Sequence, residues 1–170
     1  MVVFAAMLVA CSGNDKHTGT ANDSTQSDTM AIIDSTAIKA QTEADAKAAE
    51  EAFAEEVTDY LTKVYTEQTS DGVFSPEFEE LKGSAEMTSL KMGDGMDYFD
   101  YDVLTQSQDP GKLKGVEVTD IDGDKATAKV KGGGFGQNGT INVSVVCIDG
   151  KLYIDDVAGE KAKMKKFLGR

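Results

Sequence analysis

Apolar residues recur every three or four positions between Phe53 and Tyr65: Phe53, Val57, Tyr60, Leu61, Val64 and Tyr65. Glu50, Glu51, Glu55, Glu56, Asp59 and Lys63 fall mostly elsewhere. This spacing predicts a helix with one face in the core. The Ala-rich sequence before it, Ala37 to Ala52, favours helix by propensity but carries no stripe. The helix is expected to start at a Ser35 cap and run to about Gln68, with Thr69-Ser70-Asp71-Gly72 ending it. Ser75-Pro76-Glu77-Phe78 is a second start signal, with Ser75 as cap and Pro76 at the first helical position. Phe78, Leu81 and Ala85 share a face, and Gly83 is expected to split this region into two short helices ending near Lys91.

The second half changes period. Val116 and Val118 alternate with Glu117 and Thr119, and Ala126, Ala128 and Val130 alternate with Thr127, Lys129 and Lys131. A strand pair with Val118 facing Ala126 requires an odd loop. Ile121-Asp122-Gly123 supplies a type I turn followed by a left-handed Gly123. Ile141, Val143, Val145 and Cys147 line one face of the next strand. Asp149-Gly150 is a two-residue hairpin signal that pairs Cys147 with Leu152 and Val145 with Ile154. Val146 and Ile148 leave the opposite face partly apolar. Gly132 to Gly139, GGGFGQNG, is expected to be a flexible hairpin loop, since a phosphate cradle needs a helix after it and a strand follows. Phe135 at its tip either makes contacts or folds back.

The chain opens on nine apolar residues, Val2 to Ala10, and then Cys11. This run is too short for a membrane-spanning helix, which needs roughly 20 residues, and has the length of a signal-peptide core. Leu8-Val9-Ala10-Cys11 resembles the bacterial lipobox. Residues 1–10 are accordingly expected to be a lipoprotein signal peptide, and residues 11–36 a lipidated Cys11 followed by a disordered tether. No Lys or Arg precedes Cys11, where a basic leading region is expected. The Ser/Thr/Asn/Asp-rich tether spans about 25–30 Å as a flexible chain. His17, the only histidine, lies in it. Residues 37–158 are expected to form a single domain, and residues 159–170 a basic C-terminal tail or short helix. Lys161, Lys163, Lys165, Lys166 and Arg170 make that end basic, and Met164, Phe167 and Leu168 suggest the helix.

A net charge of −13 over 170 residues disfavours nucleic-acid binding, because phosphate backbones are repelled. If Cys11 carries lipid, Cys147 has no partner within the chain, and it reads as a small buried apolar residue. Met92 to Asp109 interleaves Asp94, Asp97, Asp100, Asp102 and Asp109 with Tyr98, Phe99 and Tyr101. The spacing does not fit a twelve-residue calcium loop, so it reads as a loop packing its aromatics on the sheet, with neither metal nor cofactor assigned.

The predicted order is an N-terminal helix, short helices, an acidic loop and a curved four-stranded antiparallel sheet: an α+β class. This order resembles the cystatin-like and nuclear-transport-factor-2-like folds. The segments VTDYLTKVY, DYDVLTQSQD and VSVVCIDGKLYIDDV, between Val57 and Val157, are similar to a bacterial lipoprotein family defined by a domain of unknown function, number 3828. DYDVLTQSQD lacks the proline expected after its second Asp. The resemblance brings no catalytic residues with it.

Three functional readings follow. The first is a non-catalytic binding module, lipid-anchored in the envelope of a Gram-negative bacterium, for a protein, peptide or glycan. Its expected contact surface is Tyr98, Tyr101, Gln108, Asp109 and Phe135. The second is a small isomerase-like pocket enzyme, with Asp100 or Asp102 as base and Tyr98 or Tyr101 as oxyanion donor. The domain holds no His, which excludes Ser-His and Cys-His chemistry. The third is a periplasmic inhibitor or immunity-type protein whose acidic surface plugs a basic cleft. All three place the protein in the envelope, and the placement is testable at one residue. Cys11→Ser should leave unprocessed precursor and release the protein from membrane fractions, read by immunoblot; unchanged mass and partitioning would refute it.

Overall fold

The computed structural model describes residues 35–92 and 98–170. The signal peptide, Cys11, His17, Asp94 and Asp97 lie outside them. The described chain is α+β, with α1 (Ser35–Glu67), α2 (Pro76–Met92), β1 (Leu113–Asp122), β2 (Lys125–Gly132), β3 (Thr140–Ile148), β4 (Lys151–Val157) and α3 (Glu160–Phe167). The strands form one antiparallel sheet in the order β1-β2-β3-β4. No helix among the described residues is long and apolar enough to cross a membrane.

The predicted stripe of α1 is its core face. Val57, Leu61, Val64 and Tyr65 are buried, with Phe53 and Tyr60 partly so, whereas residues 42–52 are exposed. Gln68, left-handed at φ 50°, ends the helix by donating its N–H to Val64 O at 2.9 Å. Ser75 caps α2 as expected: its Oγ accepts from the Phe78 N–H at 3.3 Å. The predicted break at Gly83 does not occur. A mid-helix glycine costs only about 1 kcal/mol, and Phe78, Leu81, Ala85 and Ser89 hold one continuous buried face past it.

The β3–β4 register is the predicted one. Cys147 pairs with Leu152 and Val145 with Ile154, across a turn whose Asp149 and Gly150 have φ of 51° and 77°. Cys147 is buried, but it holds no free thiol. It is disulfide-bonded, which corrects the expectation that it has no partner.

The β1–β2 register is not the predicted one. Val118 pairs with Ala128, and Ile121 with Ala126. The odd residue assigned to the loop sits inside the strand instead, where the register shifts between Val118 and Asp120. A second shift lies between Leu113 and Gly115. Each bulge inserts one residue, so Leu113, Val116, Val118 and Ile121, spaced 3-2-3, all pack against the core. At the other side of the sheet, β4 is covered by the segment before α2. Ile154 N–H donates to Val73 O at 2.7 Å and Ser75 N–H to Ile154 O at 2.8 Å.

The glycine-rich loop is packed, not flexible, and Phe135 folds back into the core. It is 0 % exposed, with its ring 5.7 Å from that of Tyr65. Gly132 lies under this ring: a Cβ there would sit 2.4 Å from Phe135 Cδ2. Gly132→Ala should therefore destabilise by about 1–3 kcal/mol through overpacking. Adding Phe135→Leu should recover part of that loss. Urea midpoints read both, and an unchanged midpoint in the single variant would refute the packing.

Candidate functional site

Four parts of the chain converge on one cleft of about 590 Å³. The segment after residue 98 contributes Tyr101 and Gln106, the glycine-rich loop contributes Gln137 and Asn138, and the outward positions of β3 contribute Thr140, Asn142 and Ser144. Asp156, Ala158, Gly159 and Lys163 close it where β4 turns into α3.

Local chemistry sets each wall. Asp102 makes a side-chain-capped turn, its Oδ1 accepting from both the N–H and the hydroxyl of Thr105 at 2.8 Å. Gln106 follows with φ 54°, its side chain donating to Val103 O at 2.9 Å. The Gly136 N–H donates to Thr105 O at 2.9 Å, which ties the loop to this turn. Ala158 and Gly159 are both left-handed, at φ 51° and 77°. This conformation costs an alanine roughly 1–2 kcal/mol. It turns the chain sharply out of β4, and Asp156 Oδ1 receives the Lys161 N–H at 2.8 Å to start α3.

Behind the cleft lies Glu160, 1 % exposed. Its Oε1 accepts from the Tyr101 hydroxyl at 3.0 Å and from Lys163 Nζ at 2.6 Å. Its Oε2 is buried with no hydrogen-bond partner. Burial, and then the bond to Glu160, push the Tyr101 phenol well above its ordinary range. Tyr101 therefore keeps its proton at neutral pH and donates it to Glu160.

The basic C-terminal end, expected as a tail or a short helix, is the helix α3, docked on the domain. Met164 is fully buried. Lys161 contacts Glu77 at 2.6 Å and Asp155 at 3.0 Å, and Lys165 contacts Glu77 at 2.8 Å. Asp155 also accepts from the Ser75 hydroxyl at 2.7 Å, so α2, β4 and α3 meet in one charge cluster. Hydrogen bonds from Lys161 and then Lys165 hold the Glu77 carboxyl down at about 2. Burial alone would lower Lys161, but its bonds to Glu77 and Asp155 outweigh that and raise it.

Of the expected contact residues, Tyr101 alone lines the cleft. Tyr98 is half-buried, packed edge-on to Phe99 at 4.6 Å and tilted on Phe167 at 4.8 Å. Gln108 and Asp109 are exposed on the same segment, with Gln108 Nε2 donating to Asp100 O at 2.8 Å. Phe135 is core and offers no contact surface. Asp100 and Asp102, the expected bases of the enzyme reading, are exposed and do not line this cleft; the carboxylate bonded to Tyr101 is Glu160. The sequence does not single out Glu160, a lone acid at the head of a basic run, and marks Lys163 only as one lysine of that run. Asn142 and Ser144 were visible as the polar partners of an alternating strand.

Comparison of the chain with protein-family models, curated proteins and solved structures finds no match in any of the three.

The charge cluster has a pH signature. Glu77 is depressed, so its contribution to stability is present above the unfolded carboxylate value of about 4.3. It is lost as pH falls towards the folded value of about 2. Glu77→Gln should flatten that limb of the stability curve, and about 0.5 M salt should shrink the wild-type limb because Glu77 is exposed. Urea midpoints between pH 5 and pH 2 check this; parallel curves for the two proteins would refute it.

Proposed function

We propose that this protein is a lipid-anchored component of the Gram-negative envelope whose folded domain is a non-catalytic binding module. The anchor reading is supported by the signal-length apolar run, the Leu8-Val9-Ala10-Cys11 sequence and the polar tether. Kinship with the lipoprotein family of domain 3828 is part of this proposal and is supported by the three segments quoted above. The binding reading is carried by the chemistry of the cleft. Gln106, Gln137, Asn138, Thr140, Asn142 and Ser144 present amides and hydroxyls, which hydrogen-bond a ligand but neither take its protons nor attack it at neutral pH; of the two charged side chains that also line it, Asp156 accepts the Lys161 N–H and Lys163 is bonded to Glu160.

The pocket-enzyme reading draws support from the Tyr101–Glu160 pair, a phenol bonded to a buried carboxylate. Glu160 does not itself line the cleft, however, and Tyr101 stands between it and any ligand. Base chemistry would need the carboxylate within reach of the substrate proton.

Two measurements test the proposal. Intact mass should show a diacylglycerol thioether on Cys11. The chain has two cysteines, so the thioether and the disulfide found at Cys147 are competing fates of the Cys11 sulfur; a mature protein that keeps the disulfide, seen as the loss of two hydrogens and no added lipid, would overturn the anchor. For the module, envelope-derived peptides and glycans should include one that raises the Tm of lipid-free protein. Ser144→Trp should abolish that shift while leaving the unliganded Tm unchanged. Turnover of the bound compound would overturn the non-catalytic reading.

A further inference from the structure

We propose that the cleft takes a neutral, hydroxyl-rich ligand, a glycan segment, towards which the Tyr101 oxygen acts only as an acceptor. This deepens the binding-module reading and rests on it.

Hydrogen-bond polarity is the first argument. The single hydroxyl proton of Tyr101 goes to Glu160 Oε1, so the phenol oxygen has only lone pairs to offer the cleft. Lys163 gives one ammonium hydrogen to the same oxygen and keeps others to donate. An acceptor and a donor thus stand side by side on one carboxylate oxygen. A vicinal diol, each hydroxyl both donor and acceptor, matches that pair. The floor repeats the match: Asn142 and Ser144 on β3 and Asn138 on the loop each carry donor and acceptor capacity.

Charge is the second argument. The charged groups at the cleft are Lys163, Glu160 behind it, and Asp156, whose carboxylate is engaged at the start of α3. Lys163 and Glu160 offset each other, which leaves one negative charge. Phosphate and carboxylate ligands are therefore disfavoured.

The backbone supplies the third. The strand under the cleft, β3, is paired with β2 from Thr140 and with β4 from Val143, and Asn142 O accepts the Ala158 N–H at 2.8 Å. Only Thr140 and Ile141 lack a partner on the β4 side, too short an edge for an extended peptide to pair with. The apolar lining gives a peptide side chain no anchor either, since Ile141 is 4 % exposed and its apolar companions are Ala158 and glycines. A ligand that binds through its own hydroxyls needs neither.

Glu160 is then a positioning residue. It fixes the direction of the Tyr101 proton without touching ligand. Calorimetric titration of lipid-free Cys11→Ser protein with chitotetraose and maltotetraose tests the proposal, with an uncharged acetylated tetrapeptide and inorganic phosphate as comparisons. One oligosaccharide should bind saturably, with an affinity unchanged by salt. Tyr101→Phe should weaken it about fivefold, the effect of one lost hydrogen bond; it should also lower the unliganded Tm, because buried Glu160 loses a donor, so titrations are run well below that Tm. Ser144→Trp should abolish it. Peptide binding in the cleft without oligosaccharide binding would overturn the glycan assignment and leave the module standing. Phosphate binding that weakens with salt would overturn the neutrality argument. Full affinity in Tyr101→Phe would remove the acceptor role. No binding by any of these probes would overturn the glycan assignment, and the module reading would fall only if the wider envelope set above also gave no Ser144-dependent shift.

Discussion

Tyr65 fixes two walls of the cleft at once. Its ring packs on Phe135, which seats the glycine-rich loop, and its hydroxyl donates to Leu104 O at 2.9 Å, which seats the turn between Tyr101 and Gln106. Burial pushes that phenol far above its usual range, so the bond is made by a neutral hydroxyl at any ordinary pH. Tyr65 itself belongs to the buried face of α1. The helix therefore does more than cover the sheet. The two polar surfaces that face each other across the cleft are both measured from one aromatic side chain in the core.

The third wall depends on a different balance. Lys161, Lys165, Glu77 and Asp155 look like the cause of α3 docking, yet surface ion pairs contribute only about 0–1 kcal/mol each. The burial of Met164 contributes more, about 1.5–3 kcal/mol. The charges are better read as setting direction. Lys161, whose side chain is 15 % exposed, bridges α2 and β4, and that choice of rotation about the helix axis puts Glu160 inward behind Tyr101. Apolar burial holds α3 on the domain, and the ion pairs decide which residue of its first turn faces the protein.

The sequence was readable wherever one short-range rule governed. The Asp149-Gly150 turn admits one register, and the β3–β4 pairing followed from it. Ser75-Pro76 marked a helix start because capping is local. The alternation of Ile141, Val143 and Val145 implies an outward face, which the structure shows to carry Asn142 and Ser144. Reading failed where tertiary packing overrode a local rule. Gly83 is a weak helix residue, but the buried face on either side of it outweighs its cost. In β1 the 3-2-3 spacing of Leu113, Val116, Val118 and Ile121 departs from strict alternation because two bulges bring all four to one face. The count of one extra residue was right and its position was not, since a bulge keeps parity as well as a longer loop does. Phe135 and Glu160 are a different kind of miss. One is an aromatic among glycines and the other an acid at the head of a basic run, and both were classed by their neighbours when the fold buries them singly.

The two kinks in β1 have a bearing on how many copies can share a small space. A straight outer strand offers a row of amide and carbonyl groups to which a neighbouring molecule can zip. Here one rim of the sheet changes pitch twice within ten residues, at the shifts beside Leu113 and Val118, and the opposite rim is occupied by residues 73–75. Neither rim leaves a flat run long enough to seed intermolecular strand pairing. Crowding such molecules onto a two-dimensional surface, where encounters are frequent and orientations repeat, would not join them through their sheet edges.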